Sequence, residues 1–305
     1  MTNWRDAVER YQIWRREALT LSATAQKRAA SLLNAYAQAL LSATGGATNA
    51  RGPAVVDAAQ RDAIIADLDV RLAQLVQSSG RLYQATQAAS LAHTIAMREV
   101  YRTGGSALLR RFDASARALV TSERETFRVG FANWTDRFGA AGQSLKTGMT
   151  QDLVNAQVYG WDQRQLAEAF LRRPDFSFKN LPKIGPNGKR IFTMGKALGE
   201  SDALVRRAHG IAATESTGIR TRQTRLYAVE AGLDWVINWN DVPVHADCIA
   251  ATAAGPMPWD EMIRQFGLPP RHPNCDSDLM PCTREEGKDA WREVQATLEL
   301  EPVEA

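Results

Sequence analysis

Apolar residues recur at three- and four-residue steps through the first 43 residues, which is the period of an amphipathic helix. Neither Pro nor Gly interrupts this stripe, and Gly45-Gly46 follows it directly. The pattern therefore predicts one helix from residue 4 to about 43. The members of the stripe are Trp4, Val8, Tyr11, Ala18, Leu21, Ala25, Leu32, Tyr36 and Leu40.

A second apolar stripe, close to heptad spacing, predicts a helix from about Pro53 to Thr103 that ends at Gly104-Gly105. Gly80 is the expected position of a kink in it. Helices this long are unusual in a compact domain. They fit either a plain antiparallel bundle or an elongated stalk that packs against neighbouring subunits, and the sequence leaves both interpretations open.

The segment 112–171 continues with helical periodicity. Its glycines at 130, 139, 142 and 148 are expected to divide it into shorter helices. The following segment, 172–200, has two central prolines and an Asn187-Gly188 turn flanked by short apolar runs. This combination predicts a β-hairpin.

The predicted hairpin is basic, since the stretch from Arg172 to Lys196 holds seven Lys or Arg residues and one acid. Such a surface can contact DNA phosphates or an acidic protein face. The alternative is a hairpin that is merely solvated. The candidate nucleic-acid contacts are Lys179, Lys183, Lys189 and Arg190.

The last third of the chain mixes helices and strands. A helix is predicted from Asp202 to about Gly232, and the alternation of Trp235, Ile237 and Trp239 predicts a half-buried strand after it. The residues after Cys282 predict a short helix and a tail. With seven acids and three bases from residue 284 onward, this end is expected to be solvated or to seek a partner.

These elements predict a mainly α N-terminal region with long helices, followed by a small α+β C-terminal domain closed by a zinc-type cluster of His and Cys. The predicted boundaries give an elongated helical domain over 1–170 and a basic hairpin or linker over 171–200. The α+β domain then covers 201–283, and an acidic helix and tail cover 284–305. A chain of 305 residues is long enough for two such domains.

Composition excludes some classes of protein. The formal net charge of +3 does not by itself indicate a nucleic-acid binder, and no apolar run is long enough to predict a membrane span. The charged N-terminus has no apolar core of a secretion signal. The three cysteines are concentrated in a ligand-like pattern, which predicts assembly in a reducing cytosol rather than a disulfide framework.

Two His and all three Cys of the chain lie between residues 241 and 282. They include two matching pairs, His245-x-x-Cys248 and His272-x-x-Cys275. Two tight turns of this spacing supply the four N and S ligands of a tetrahedral zinc site. The prolines around the second pair make its loop stiff and non-helical.

A structural zinc is the preferred interpretation because four protein ligands leave no position for a catalytic water. Four unconnected loop residues, or a site that has lost its metal, are the alternatives. Cys282 lies just beyond the pairs and is either a replacement ligand or a buried small hydrophobic residue. A Cys248 nucleophile with His272 as base lacks a visible oxyanion arrangement. An HNH-type nuclease would need a third histidine nearby.

The order of motifs in the last hundred residues resembles a known family. A helix carrying Ala212-Ala213-Thr214-Glu215 leads to Gly232, and a strand then ends in Trp239-x-Asp241. A ligand pair, a Gly-containing spacer and Pro-Pro-x-His-Pro-Asn-Cys follow. Over about residues 150–282 this resembles the C-terminal domain of the Mu F-like phage head morphogenesis, or minor head protein, family.

Three positions depart from the family pattern. Ala213 stands where the family has an Arg before Thr-Glu, and His245 replaces the first Cys of the ligand pair. Imidazole preserves the zinc chemistry there. The closing Cys-Arg-Cys is Cys275-Asp276-Ser277, so the last family Cys is missing unless Cys282 serves.

The resemblance implies a non-enzymatic structural protein of a tailed-phage head, located at the portal vertex of the virion and in the host cytoplasm during assembly. Its implied partners are the portal and the major capsid or scaffold proteins, and the basic hairpin adds viral DNA as a candidate partner. Such a protein is expected in few copies per particle, with a role in packaging or ejection left open.

Two acidic residues are candidates for steadying the zinc loops. Glu215 on its helix and Asp241 at the strand end are expected to hydrogen-bond the ligands or their loops, unless each only caps or solvates its own element.

Two rival functions remain: an ADP-ribosyltransferase-like or toxin-associated enzyme using Thr214-Glu215, and a sequence-independent DNA-binding module using the hairpin. The first lacks the Ser-Thr-Ser strand and the paired Glu-x-Glu or Gln-x-Glu loop of such enzymes.

Overall fold

The computed structural model describes residues 4–45, 58–100, 134–161, 202–240, 245–272 and 275–298, together with a few isolated positions between them. The predicted basic hairpin, with Lys179, Lys183, Lys189 and Arg190, lies outside the described residues, and so does Asp241. The described part is mostly helical and carries a small three-stranded antiparallel sheet near the C-terminus, which confirms the coarse fold prediction.

Three long helices come first. Helix α1 covers Trp4–Gly45 and α2 covers Ala58–Ile95, with a 3₁₀ turn at Ala96–Glu99. Helix α2 passes through Gly80 without interruption. Helix α3 covers 134–159 and includes three of the glycines that were expected to break it, so that expectation was wrong for the described residues.

The remaining elements of the described residues are four helices and three strands. Helix α4 is Asp202–Ala231, and strand β1 is Trp235–Trp239. Helix α5 is Ala246–Ala253, strand β2 is Met257–Pro258 and helix α6 is Trp259–Phe266. Strand β3, Asp278–Cys282, precedes helix α7, Arg284–Leu298. No helix among the described residues has the length and apolarity needed to cross a membrane.

The chain forms two compact units that are each discontinuous in sequence. The first contains Met1–Ala25, Gln84–Phe131 and Ala212–Ala305, and the second contains Gln26–Tyr83 and Ala132–Ile211. The sequence-based boundaries at 170, 200 and 283 follow changes in composition along the chain. The observed division instead follows the pairing of the start of α1 and the end of α2 with the C-terminal elements.

The second unit is helical in its described part. Tyr83 and Trp134 pack with ring centroids 5.4 Å apart, and both side chains are fully buried. Gly142 on α3 faces α2 so closely that an added Cβ would lie 2.6 Å from Leu75 Cδ2. Gly142, which was predicted to break a helix, therefore lies inside α3 and permits its close packing against α2.

In the first unit, β1 lies between β2 and β3, and both pairings are antiparallel. Trp239 pairs with Asp278 at one end of the ladder and Trp235 pairs with Cys282 at the other. Four of the five β1 side chains are buried, so the strand is enclosed on both faces rather than half-buried as expected. Asn238 points to the opposite face from Trp239, because alternate strand residues face opposite sides.

The core of this unit joins both ends of the chain. Tyr11 on α1 packs on Trp239 of β1 with centroids 5.3 Å apart. Ala290 and Val294 on α7 are buried in the same cluster, so the helix after Cys282 is not a solvated appendage. Its acidic continuation, 299–305, lies outside the described residues. Most residues of the apolar stripe of α1 are buried by other parts of the chain: Val8, Tyr11, Ala18, Ala25, Tyr36 and Leu40.

Candidate metal centre

The first pair of predicted ligands lies at the start of helix α5. His245 is the N-cap residue, with an extended backbone and no capping hydrogen bond from its side chain. Cys248 lies three positions further, in the first turn, and is fully buried. The pair thus places one exposed and one buried candidate ligand at the start of the same helix.

The second pair lies in a tight turn before β3. The Cys275 amide donates to the His272 carbonyl at 3.2 Å. Cys275 is 1% exposed, whereas His272 is intermediate in burial. The turn thus directs its thiol to the interior, towards the first turn of α5.

Three of the four predicted ligands meet. Cys248 Sγ lies 3.1 Å from His272 Nε2 and 3.8 Å from Cys275 Sγ. The donor atoms of these three residues all lie within 4.8 Å of one another, so this group can hold a metal ion. A tetrahedral zinc with Zn–S bonds of about 2.3 Å separates two sulfur ligands by about 3.8 Å. The thiols are free cysteines, and their separation far exceeds a disulfide bond of about 2.05 Å.

The turn is anchored by residues that the sequence analysis did not select. Thr217 on α4 is buried and donates its hydroxyl hydrogen bond to the Cys275 carbonyl at 2.7 Å. Asn240, just after β1, donates to Asp276 Oδ1 at 3.2 Å and to Ser277 Oγ at 3.0 Å. These bonds tie the ligand turn to α4 and to the sheet.

Arg271 forms a second anchor, directly before the candidate ligand His272. Its guanidinium donates to Asn238 Oδ1 at 2.9 Å and its Nε donates to the Phe266 carbonyl at 3.1 Å. Asn238 in turn donates to Thr252 Oγ1 on α5 at 2.8 Å. The chain of bonds from α6 through Arg271 and β1 to α5 fixes both ligand-bearing segments relative to the same strand.

The thiols of Cys248 and Cys275 are buried, and the Arg271 guanidinium lies near them. Burial raises the pKa of the Cys248 thiol, and a hydrogen bond with Ser277 opposes part of that rise. Burial also lowers the pKa of the Arg271 guanidinium, while the neighbouring Cys248 and Cys275 act in the opposite direction. A bound cation would favour the thiolates in such a site, because thiolate and not thiol is the ligand form.

His245 and Cys282 lie outside the group of three. The His245 ring stacks on His272 with centroids 4.2 Å apart and an interplanar angle of 16°, and its side chain is exposed. Cys282 is fully buried on β3 within the hydrophobic core. Its Sγ lies 3.5 Å from where a Cβ on Gly287 would be. Its surroundings are those of a small core residue.

Glu215 is buried on α4 and has polar interactions of its own. Thr217, two positions further along the same helix, bonds the Cys275 carbonyl. Asp241 lies outside the described residues, and its neighbour Asn240 makes bonds of the kind that were expected of it. The two asparagines in the run WVINWN, Asn238 and Asn240, could have indicated these anchoring bonds from the sequence. Amides that are buried in a strand need hydrogen-bond partners.

A buried charge cluster lies behind the ligand turn and had no sequence signature. Arg15 on α1 and Arg220 on α4 both form ion pairs with the carboxylate of Asp278, the first residue of β3. The Arg15 Nε–Asp278 Oδ2 distance is 3.0 Å, and all three side chains are at most 5% exposed. Arg15 also donates to the Asp276 carbonyl at 3.1 Å. The cluster connects α1, α4 and β3 at a position three residues after Cys275.

The chain has no match among models of known protein families, among curated proteins or among solved structures.

Proposed function

We propose that the first unit is a zinc-stabilised structural module. The observation that carries this proposal is the convergence of Cys248, His272 and Cys275, with a sulfur–sulfur separation that suits a tetrahedral zinc. Two thiolates and an imidazole form a donor set typical of zinc. A zinc ion bound there supplies a cross-link between α5 and the turn before β3, and its binding energy adds to folding energy.

His245 supplies the fourth ligand in this proposal. Its ring already lies against the ring of His272, and a side-chain rotation at the exposed start of α5 brings it towards the other donors. Four protein ligands complete a closed, structural coordination sphere without a water position. The fully buried thiols and the anchoring bonds of Thr217 and Arg271 support a structural rather than a catalytic role.

We further propose that the chain is a minor head protein of a tailed bacteriophage. The support is the motif order from Thr214-Glu215 to the His-Pro-Asn-Cys sequence. A fold in which Cys248, His272 and Cys275 converge, and in which Thr217 of the same helix as Thr214-Glu215 bonds the Cys275 carbonyl, is consistent with it. The proposed partners are the portal and the major capsid or scaffold proteins, with DNA a partner through the basic segment 171–200. The proposed place of action is the portal vertex.

The composition of purified phage particles tests the head-protein proposal. Virions and procapsids made by the phage or prophage that encodes the chain should contain it at a fixed, low ratio to portal protein. Quantitative mass spectrometry measures that ratio, with the portal and major capsid proteins as internal standards and an abundant host protein as the contamination control. Absence of the chain from both kinds of particle contradicts the proposal while leaving the zinc site untouched.

A further inference from the structure

Cys248 and Cys275 lie close enough for a second chemistry besides metal binding. Both are free cysteines, and their Sγ atoms lie 3.8 Å apart. A disulfide bond of about 2.05 Å requires the two sulfurs to approach by a further ~1.8 Å. Rotation about the Cα–Cβ bonds of the two residues moves the sulfurs by distances of this size. The geometry therefore suits a pair of cysteines that can also be oxidised.

The third cysteine of the chain is kept apart from this pair. Cys282 is buried in the hydrophobic core on β3, and it is not a member of the donor group that contains Cys248 and Cys275. Its Sγ lies 3.5 Å from the position that a Cβ on Gly287 would take. Three cysteines allow three pairings, and the structure favours the pairing of Cys248 with Cys275.

Two histidine rings adjoin the thiols on a side that reaches solvent. His272 Nε2 is 3.1 Å from Cys248 Sγ, and the His272 ring stacks on the exposed His245 with centroids 4.2 Å apart. Cys248 and Cys275 are themselves 0% and 1% exposed. Displacement of the exposed His245 ring at the start of α5 would open this side of the site. A route of that kind admits a small oxidant such as hydrogen peroxide more readily than a bulky disulfide.

We propose that Cys248 and Cys275 are a redox pair, which a peroxide converts to a disulfide with release of the bound zinc. This inference rests on the proposed zinc site, whose metal holds both sulfurs as thiolates, the reactive form. The peroxide oxidises one thiolate to a sulfenic acid: an S–O bond forms, the O–O bond breaks, and one proton is taken up as water leaves. The second thiolate attacks that sulfur, and a second proton leaves with the oxygen as water. In total, two thiolates, one hydrogen peroxide and two protons give one disulfide and two waters.

The disulfide would join the same two segments that zinc joins. Zinc links the first turn of α5 to the segment before β3, and the Cys248–Cys275 bond closes the chain between those same positions, 27 residues apart. A disulfide stabilises chiefly by restricting the unfolded chain, and the effect grows with the length of the closed loop. The first unit therefore keeps a cross-link on both sides of the change, in a reducing cell and in an oxidising medium.

Disulfide mapping of the full-length, zinc-loaded protein tests the redox pair. The protein receives a small excess of hydrogen peroxide in the presence of a zinc-binding dye, catalase removes the remaining peroxide, and free thiols are alkylated in denaturant. We expect tandem mass spectrometry to find Cys248 joined to Cys275 and Cys282 alkylated, with about one zinc released per disulfide. A sample without peroxide is the control for zinc lost to the dye alone. Three alkylated thiols, a sulfinic acid at Cys248 or Cys275, or a disulfide to Cys282 overturns the proposal.

Cys282→Ser is the matched variant, because it leaves only the two cysteines of the pair. Cys275 and Cys282 lie on one tryptic peptide, residues 272–284, so the variant also makes the assignment of the disulfide unambiguous. It should form the disulfide in the same yield as the wild type. A yield that falls several-fold in the variant shows that Cys282 takes part in the wild-type reaction and contradicts the pair.

Hydrogen exchange separates this inference from the zinc proposal. A chelator should speed amide exchange in α5 and β3 of the reduced protein, whereas the oxidised, zinc-free protein should exchange at least about tenfold more slowly than the reduced, zinc-free protein. Equal exchange in the two zinc-free forms overturns the replacement cross-link, even where zinc is bound as proposed. If the purified protein holds no zinc and takes none up, the zinc proposal fails, and disulfide mapping of the metal-free protein decides the redox pair by itself.

Discussion

Replacing Cys275 by serine should reduce bound zinc from about one equivalent to near zero in the presence of a competing chelator. Cys275 is fully enclosed, and its Sγ lies 3.8 Å from Cys248 Sγ in the group of three donors. Structural zinc contributes an apparent binding energy of about 10–16 kcal/mol in zinc-finger peptides, which is comparable to the whole stability of a domain. We therefore expect the first unit to unfold, measured by circular dichroism and hydrogen exchange around α5 and β3.

Cys282→Ser is the matched control for this prediction. Cys282 is as buried as Cys275, but it packs in the core beside Gly287 instead of the donor group. A serine hydroxyl there costs about 1–3 kcal/mol when its polar group is left without a partner. Zinc content should remain near one equivalent. A loss of zinc equal to that of Cys275→Ser would make Cys282 a ligand and contradict the proposed donor set.

His245→Ala addresses the fourth ligand. If His245 completes the coordination sphere, the variant binds zinc more weakly, and cobalt substituted for zinc shows a changed visible absorption spectrum. An unchanged affinity and spectrum would leave three protein ligands only.

Replacing Asp278 by asparagine should lower the free energy of unfolding by about 3–5 kcal/mol, because it leaves two buried guanidiniums without their shared carboxylate. Arg15 and Arg220 form ion pairs with different oxygens of that carboxylate, and both side chains are almost wholly buried. Asparagine keeps the shape of the side chain and removes its charge. Chemical denaturation of the wild type and the variant in the same buffer measures the difference.

Arg220→Met is the control for the charge cluster, since it keeps one guanidinium opposite one carboxylate. It should destabilise the protein less than Asp278→Asn, although both variants break the same Arg220–Asp278 bond. If Asp278→Asn proves as stable as the wild type, to within about 1 kcal/mol, the carboxylate does not hold the cluster together.

The sequence predicted the elements whose signals are local. Helix α1 has an uninterrupted apolar period and a Gly-Gly stop, and the structure gives it nearly the predicted bounds. Strand β1 has alternating Trp and Ile residues and lies where expected. The paired His-x-x-Cys spacing predicted a convergence of ligands, and three of the four residues do converge.

The features that could not be predicted from the sequence depend on contacts between segments that are far apart in the chain. Gly142 reads as a helix break, but its missing Cβ serves close packing against Leu75 on α2. The acidic segment after Cys282 reads as solvated, yet Ala290 and Val294 complete the core. The Arg15–Asp278 pair joins residues far apart in the chain, and no local pattern marks such a bond.

Metal analysis of the full-length protein is the most direct test of the central claim, that Cys248, His272 and Cys275 hold a structural zinc. The protein is purified gently without chelator or affinity metal, and zinc is measured by elemental analysis against protein concentration from amino-acid analysis. The account predicts about one zinc per chain. Less than about a tenth of an equivalent, in protein that remains folded and takes up no added zinc, would contradict it.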